Sequence, residues 1–318
     1  MKQYYFCSYF DSNYLAHGLT LIRSLEKECE VPFVFYVLCL DEKTYELISK
    51  LQIKSVKLIK LSEIENWEPR LIEAKKNRSL VEYFFTLSPL LPLFILKFFK
   101  VDIIACLDAD LMFFSSPTAI YDELGLKSIY IIEHRFRPNF KSNIISGRFN
   151  VQCQLFRNNK AGLHCLSLWR DQCLDWCYDR FEDGKFGDQK YLDEWPSKYK
   201  DDLVISTNLG VGVAVWNVDG ENIIYLNNVF FINGDRVIFF HFHGLKVFNR
   251  FMAKTGLSAY KTPISKALRE LYIVYISNLF LNNFQANKKS IRVENYGLLR
   301  TLLSGFRHQD IIIKLNKF

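Results

Sequence analysis

The 318-residue chain has the composition of a globular protein with a substantial core. Almost half of its residues are hydrophobic, 28 are Phe and 17 are Tyr, whereas only 14 are Gly and 8 are Pro, which excludes collagenous, low-complexity and disordered classes. The net charge of +7 is concentrated at the end, because residues 246–318 hold 13 Lys and Arg against 3 Asp and Glu.

The eight cysteines lie mostly in apolar runs and form no CxxC pair, so they are interpreted as buried thiols of a reducing compartment. The first residues, MKQYYFCSYFDSN, lack the features of a signal peptide. The longest apolar tract, Leu87 to Leu107, is interrupted by two prolines and three charged residues, unlike a membrane span. We therefore expect a cytoplasmic protein.

The first hundred residues alternate between strand and helix patterns. Runs rich in Val, Tyr and Phe predict three strands, and apolar residues at helical spacing predict two helices between them, at 3–10, 13–28, 32–40, 42–51 and 55–60. This order predicts a mostly parallel sheet flanked by helices. Residues 75–99 are predicted to be helical, with a kink or break at Pro89 and Pro92.

Further elements are predicted downstream: strands at 103–107, 149–156 and 237–243, and a helix at 161–178. In the second of these strands, strict alternation places Asn150, Gln152 and Gln154 on one face. Beyond residue 250, helical patterns with many aromatic residues replace strands. We therefore predict an α/β domain over residues 1–250 and a basic, aromatic, helical extension over residues 251–318.

Two aspartates follow the predicted strand 103–107, in the segment IIACLDADLMFFSSP. If the backbone stays extended, Asp108 and Asp110 leave the same face, about 7 Å apart at the backbone, and can converge on one cation. Mg²⁺ and Mn²⁺ prefer oxygen ligands and often take one or two protein carboxylates, with phosphate oxygens completing the shell. Because ligands of open α/β sheets bind beyond the carboxyl ends of strands, the pair predicts a metal site there.

A second candidate segment is VIFFHFHGLK, residues 237–246. His241 and His243 share one strand face, and a glycine and Lys246 follow them. The pattern predicts that at least one of the imidazoles is a metal ligand and that the lysine is a cation for phosphate. Two carboxylates and an imidazole favour Mn²⁺ over Ca²⁺.

Five segments occur in the order found in nucleotide-sugar glycosyltransferases of the GT-A fold: FCSYFDSNYLAHGLTLIRSL, LDADLMFFSSP, GRFNVQCQLFRNN, FGDQKYLDEWP and HFHGLK. The chain therefore resembles glycosyltransferase family 8 and related bacterial proteins. The resemblance implies a GT-A type, Rossmann-like sheet and transfer of a sugar, UDP being the expected nucleotide, to a glycan or lipid-linked acceptor with retention of configuration. It also implies a place in bacterial surface polysaccharide or lipopolysaccharide synthesis.

Site residues follow from the same resemblance. Asp108 and Asp110, the DXD motif, are expected to hold Mn²⁺ or Mg²⁺ and to touch the donor ribose, with His241 as a third ligand and His243 as a further candidate. Asp188 and Gln189 are expected to face the donor sugar. The remaining expected donor contacts are Asp11, Asn13, Tyr14, Arg78, Asn150 and Lys246.

Some of these residues have a simpler structural interpretation. Asp11 or Asn13 can equally cap the following helix, and Asp188 can be a helix N-cap. The basic cluster of Lys75, Lys76 and Arg78 can be simply solvated. The sequence also departs from family 8 in two places. Gln152 and Gln154 stand where the family usually has small residues, and Lys246 follows its glycine at a shorter spacing than in the closing motif of the family.

The mechanism of sugar transfer has more than one possible route. Asp188 or Gln189 could act as a transient nucleophile or stabilise an oxocarbenium-like centre, or the leaving phosphate could take the acceptor proton.

Two rival functions are considered. One is a non-catalytic nucleotide-sugar-binding scaffold. The other, more remote, is a sugar nucleotidyltransferase, although FDSNYLAHG is not a Gly-rich phosphate-binding loop. Nucleic-acid binding is not expected, because the basic surplus lies outside any recognition module.

The basic tail contains LYIVYISNLFL, residues 271–281, which is apolar but too short to span a bilayer. Seven basic residues surround it: Lys254, Lys261, Lys266, Arg269, Lys288, Lys289 and Arg292. One interpretation is an interfacial helix on the inner membrane face, which would suit a lipid-linked acceptor. The other is packing on the catalytic domain or a homodimer contact.

Overall fold

The computed structural model describes residues 2–249 and 252–285. The chain divides into two compact units. Unit 1 consists of Met1–Tyr9, Glu30–Asp108 and Thr118–Thr207. Unit 2 consists of Phe10–Cys29, Ala109–Pro117 and the chain from Asn208 onward.

Short strands and helices alternate along most of the described chain. The strands are β1 (Tyr4–Phe10), β2 (Phe33–Cys39), β3 (Val56–Lys60), β4 (Ile103–Leu107), β5 (Leu111–Phe113), β6 (Ile129–Glu133), β7 (Phe149–Arg157), β8 (Leu203–Ile205), β9 (Val213–Ala214), β10 (Ile223–Leu226), β11 (Val229–Ile232), β12 (Asp235–Arg236), β13 (Phe239–His241), β14 (Lys246–Asn249) and β15 (Met252–Lys254). The α-helices are α1 (Leu15–Glu28), α2 (Glu42–Leu51), α3 (Leu61–Trp67), α4 (Arg70–Asn77), α5 (Leu80–Thr86), α6 (Leu90–Phe98), α7 (Thr118–Leu124), α8 (Lys160–Asp175), α9 (Trp195–Lys198) and α10 (Lys266–Gln285). Short 3₁₀ helices span Pro138–Ser146, Gln189–Glu194 and Leu257–Tyr260.

Unit 1 is built on a seven-stranded sheet of order β3-β2-β1-β4-β7-β6-β8. The pairs β2–β3, β1–β4 and β6–β8 are parallel, whereas β7 runs antiparallel to both of its neighbours. The sequence-based prediction of a mostly parallel α/β sheet is therefore confirmed. β4 lies near the middle of the sheet, which explains why its residues are almost all apolar.

The core of unit 1 lies between this sheet and helices α6 and α8. α6 is buried from Leu90 to Leu96, and Trp169 of α8 meets Trp195 edge to face with ring centroids 5.4 Å apart. The predicted helical segment 75–99 is three helices rather than one. It breaks before Pro89, as predicted, and also at Ser79, whose hydroxyl caps the first turn of α5.

Unit 2 joins the first helix of the chain to the last described one. α10 packs along α1, and two hydrogen bonds tie them: the Tyr275 hydroxyl to Nδ1 of His17 (2.7 Å) and the Asn282 amide to the Thr20 hydroxyl (2.9 Å). Gly18 of α1 has no room for a side chain, because a Cβ there would lie 2.3 Å from the Phe10 ring. The predicted helix in the tail thus exists, and one side of it is buried.

Unit 2 also contains the short sheet β5-β13-β9. β13 is antiparallel to β5, with His241 opposite Leu111, and parallel to β9. The predicted strand 237–243 is shorter than expected and covers only Phe239–His241. Two further small sheets, β10-β11-β12 and β14-β15, complete the unit.

Among the described residues, no single helix is long and apolar enough to cross a membrane. Only α5 and α6, taken together across a 40° bend, reach the required length and composition. The predicted boundary near residue 250 stays a prediction. Lys288, Lys289 and Arg292, predicted to flank an interfacial helix, lie outside the described residues.

Candidate active site

Asp108 stands at the carboxyl end of β4, at the edge of the unit 1 sheet. Its backbone N–H donates to the Gln152 carbonyl of β7 at 2.9 Å, so the strand pairing of β4 and β7 extends one residue beyond β4. The residue is only partly buried. A buried apolar strand thus delivers a carboxylate to the sheet edge where ligands of α/β proteins bind.

Asp110 belongs to unit 2, where its carboxylate contacts His241. Its Oδ1 lies 3.0 Å from Nε2 of His241, and its backbone carbonyl accepts from the Phe242 N–H at 3.1 Å. The antiparallel pairing of β5 with β13 produces this contact, because Leu111 next to Asp110 is opposite His241. His241 is 4% exposed, so its imidazole is held rigidly against the carboxylate.

The electrostatics of this pair favour an ionised carboxylate. Burial alone would raise the pKa of Asp110, but the imidazoles of His241, His17 and His243 outweigh it and hold that pKa below its ordinary value. Burial lowers the pKa of His17 itself to about 4, against the opposing charge of Asp110. His17 is therefore a neutral imidazole at pH 7, bonded to Tyr275.

His241 and His243 do not have the same environment. His243 is exposed, and its ring lies 5.6 Å from that of Trp216, which also contacts His241.

Asp108, Asp110 and His241 form a group of three side chains that could hold a metal ion. Two carboxylates and one imidazole suit Mg²⁺ or Mn²⁺, since the donors are oxygen and nitrogen and water or phosphate can complete the shell. His243 is not part of this group.

Asp188 is a second acidic centre, in unit 1. It is 5% exposed, and its Oδ2 accepts a hydrogen bond of 2.5 Å from the Ser88 hydroxyl. Tyr9 lies 2.9 Å from the same hydroxyl, which gives a chain from Tyr9 through Ser88 to Asp188. Burial, with the added negative charge of Asp108, raises the pKa of Asp188 to about 7, although the hydrogen bond from Ser88 opposes the shift.

The side chain of Gln189, the next residue in the chain, makes a structural hydrogen bond. Its side-chain amide donates to the Ser146 carbonyl at 3.0 Å, at the end of the 3₁₀ helix Pro138–Ser146. Asp188 itself lies just before the 3₁₀ helix Gln189–Glu194 but makes no side-chain cap. The simpler interpretation of Asp188 as a helix N-cap therefore does not hold.

Asn150 lies at the start of β7 in a small polar network. Its Nδ2 donates to Nε2 of His134 at 2.8 Å, and its Oδ1 accepts from the Gln152 N–H at 2.8 Å. The His134 ring stacks on Phe136 at 4.6 Å. Sequence reasoning found Asn150 but missed His134, and it also missed Ser88 and Tyr9, because none of them belongs to a recognisable motif.

The loop after β1 carries three more predicted donor contacts. The Asp11 carboxylate accepts from the backbone N–H groups of Asn13 and Tyr14 at 3.0 and 3.1 Å, just before α1 begins. Asp11 thus shapes the turn before the helix but does not cap it, because the N-cap residue is Tyr14 and no side chain caps the first turn. The Asn13 side chain and the Tyr14 ring are exposed.

Arg78 and Lys246 occupy different kinds of position. The Arg78 guanidinium donates to the carbonyls of Cys173 and Leu174, both at 2.7 Å, and to the Thr86 hydroxyl. It thereby joins α5 to the C-terminal turn of α8, where a cation is favourable. Lys246 begins β14 and is half-buried. Lys75 and Lys76 are exposed and paired with Glu65 and Glu73.

Comparison with known proteins identifies relatives of this chain in Bacillus subtilis. It is 30% identical over 288 residues to YfnD of Bacillus subtilis strain 168, an uncharacterized protein, and the match covers 88% of this chain and 89% of YfnD. The chain belongs to the YfnD family. A second uncharacterized protein of the same strain, YfnF, is 28% identical over 251 residues, or 76% of this chain and 82% of YfnF. No protein-family model matches the sequence.

Solved structures identify the fold of this YfnD-family member. The glycosyltransferase GlyE of Streptococcus pneumoniae TIGR4 superposes with a TM-score of 0.50 and 16% identity, covering 90% of this chain and 64% of GlyE. The fold is the GT-A type of glycosyltransferases, as the sequence resemblance implied. The Asp108-Asp110 pair stands in it as a possible DXD motif.

Proposed function

We propose that this YfnD-family chain is a metal-dependent glycosyltransferase that moves a sugar from a nucleotide sugar to a glycan or glycolipid acceptor. The observation that carries the proposal is the Asp110–His241 contact of 3.0 Å, formed on a GT-A fold immediately after the Asp108 strand end. His241 is buried, with its Nε2 on the Asp110 carboxylate. Asp108, Asp110 and His241 would hold Mn²⁺ or Mg²⁺.

The chemistry requires stabilisation of a leaving diphosphate. A divalent cation, when bound, acts as a Lewis acid on the phosphate oxygens. Lys246 supplies a second positive charge for the same group. Asn13 and Tyr14 are exposed beside the end of β1, and we assign them to the nucleoside, for which UDP is our preferred candidate.

Asp188 is assigned to the sugar side of the reaction. A carboxyl with a pKa of about 7 in a buried site can be present in either protonation state near neutral pH, which suits a group that faces a developing positive centre. Its hydrogen bond to Ser88 fixes the side-chain position. We propose that the sugar is transferred with retention of configuration and that the side chains of Asp188 and Gln189 face its anomeric carbon.

The acceptor is proposed from the same family resemblance: a precursor of a bacterial surface polysaccharide or lipopolysaccharide, met at the cytoplasmic membrane face. The described residues show how much of α10 could meet a membrane. Leu271, Tyr275 and Leu279 are buried, whereas apolar side chains on the rest of the helix are partly exposed (Ile273, Val274 and Phe280) or exposed (Leu281, 62%).

The deciding experiment measures binding and slow hydrolysis of nucleotide sugars by the full chain with and without Mn²⁺. Calorimetry gives affinity, and released nucleotide gives turnover, for wild type, Asp110→Asn and the control His164→Asn, whose residue is exposed on α8. We expect one donor to bind and turn over only with the cation and only in wild type and control. Binding without turnover in any condition supports a non-catalytic nucleotide-sugar-binding protein instead, and no binding at all overturns the proposal.

A further inference from the structure

Unit 1 contains a pocket of about 20 Å³ beside Asp108, room for one water-sized group, that the proposed reaction does not explain. It lies between the face of the sheet formed by β1, β4 and β7 and the start of α6. Its lining is partly apolar and partly polar: Cys7, Ser8, Tyr9, Ser88, Leu91, Pro92, Cys106, Leu107, Asp108, Val151 and Gln154. The pocket therefore adjoins both the strand-end carboxylate and the Tyr9–Ser88–Asp188 chain.

Two glutamines of β7 are the unusual part of this region. Gln152 is 0% exposed and Gln154 is 1% exposed, burial that glutamine rarely shows. Among the described residues, Oε1 and Nε2 of Gln152 and Nε2 of Gln154 have no hydrogen-bond partner. Leaving such groups unpaired in the interior costs about 1–3 kcal/mol each, so the free protein carries a penalty that a ligand could remove.

The strand register shows where these amides lie. Gln154 is directly opposite Cys106, and the Gln152 carbonyl accepts from the Asp108 N–H. Gln154 lines the pocket, as does Val151, whereas Gln152 is not part of the lining. The Gln154 amide thus belongs to the pocket, close to Asp108.

The chemistry of the pocket limits its ligand. A primary amide offers two donors and an acceptor, which complements a hydroxyl group, since a hydroxyl both donates and accepts. A carboxylate or phosphate would be repelled by the nearby carboxylates of Asp108 and Asp188. The cysteine, leucine and proline walls leave room for a small group.

We propose that Gln154 determines donor specificity by hydrogen-bonding one hydroxyl group of the transferred sugar inside this pocket. The proposal rests on the proposed function, because the sugar must arrive on a nucleotide held at Asp108. A deoxy sugar that lacks this hydroxyl leaves the amide unpaired and is rejected. Discrimination of this kind is large where a site is built to bond a substrate hydroxyl.

The test compares Gln152→Met and Gln154→Met with wild type and with Gln3→Met, a matched change at an exposed residue of unit 1. Affinities with Mn²⁺ are measured for UDP, UDP-glucose, UDP-galactose and the deoxy analogues of both sugars. We expect all four proteins to bind UDP equally, because UDP carries no sugar. Gln154→Met should bind the preferred UDP-sugar about 10- to 100-fold more weakly, whereas Gln152→Met, at a buried residue outside the pocket lining, and Gln3→Met should bind it as wild type does. One deoxy analogue should lose the same factor in wild type, with no further loss in Gln154→Met.

Thermal unfolding provides a second measurement that does not depend on the donor. Because methionine has a similar shape and no unpaired amide, the melting temperature of free Gln154→Met should equal or exceed that of wild type. A lower melting temperature together with unchanged sugar binding means that the amide holds structural water, and it overturns the inference while the proposed function stands. If wild type binds neither UDP nor any UDP-sugar, the proposed function fails first and this inference with it.

Discussion

The Asp110 carboxylate and the His241 imidazole are 131 positions apart in the chain and lie 3.0 Å apart in the structure. The pairing of β5 with β13 produces this proximity and fixes one oxygen and one nitrogen ligand at a separation suited to a shared cation. A pair held this firmly needs little rearrangement on binding a metal.

Metal affinity should therefore depend on both residues. We expect Asp110→Asn and His241→Asn each to weaken Mn²⁺ binding by about 100-fold or more, since even residues that only support a ligand contribute about 10- to 100-fold. Calorimetric titration of Mn²⁺ in the presence of UDP measures the effect, and His164→Asn should bind as wild type does. Unchanged affinity in Asp110→Asn would exclude Asp110 as a ligand.

Asp188 predicts how stability varies with pH. The folded protein keeps the Asp188 proton up to about pH 7, whereas the unfolded chain releases it near 3.8, so this residue makes stability fall as pH rises between these values. Asp188→Asn imitates the protonated form and should remove this dependence. Its gain in unfolding free energy over wild type should be near zero at pH 4 and reach at most about 4 kcal/mol at pH 8.

Urea unfolding of both proteins between pH 4 and 8 measures that difference. Asp179→Asn, at an exposed position of the same unit, is the control and should follow wild type at every pH. A constant difference between Asp188→Asn and wild type across the range would mean that Asp188 is ionised throughout.

Gln189 should influence the segment 138–146 as well as the donor. With a hydrogen bond from Lys190 to the Ile144 carbonyl, the hydrogen bond from the Gln189 side-chain amide to the Ser146 carbonyl connects the two 3₁₀ helices. Losing it in Gln189→Ala should cost about 1 kcal/mol of local stability. Hydrogen exchange in residues 138–146 should accelerate about fivefold, with β1 to β3 unchanged. Exchange that stays the same would leave donor contact as the only role for Gln189.

The α1–α10 contact predicts a stability loss in unit 2. Tyr275→Phe leaves Nδ1 of the buried His17 without its partner and should cost about 1–3 kcal/mol in chemical unfolding. Tyr225→Phe, on the exposed side of β10, should cost far less. In the double variant His17→Phe with Tyr275→Phe the two losses should not add, because the second change removes a group already unpaired.

The sequence predicted the sheet well because its early strands and helices each carry a strong period. The strands at 3–10, 32–40 and 55–60 and the helices between them match β1 to β3, α1 and α2 within one or two residues. It missed β5, β6, β8 to β12, β14 and β15, most of which have two to four residues, too few for a period to emerge. The alternation in 149–156 indicated which residues share a face but could not show that the polar face is buried too.

For the candidate site, the sequence could identify residues whose motif is local. The Asp108-Asp110 pair and the His241 segment stood out because each is a compact pattern at a strand end. Ser88 and Tyr9 did not, because their importance comes only from lying beside Asp188, which is far from both in the chain. The donor contacts assigned to Asp11, Asn13, Tyr14, Arg78, Asn150 and Lys246 stay predictions, as does the metal-ligand role of His243.

The packing of α10 on α1 has a consequence for how this protein must be made. The seven strands of unit 1 are complete once residue 205 has left the ribosome, so that sheet can form during synthesis. β5 can cover one side of α1 early, with the Phe113 N–H donating to the Ser24 hydroxyl, but the side that packs on α10 stays uncovered until α10 emerges more than two hundred residues after α1. The nascent chain therefore exposes this side of α1 while those residues are being made, and we expect a chaperone to bind there.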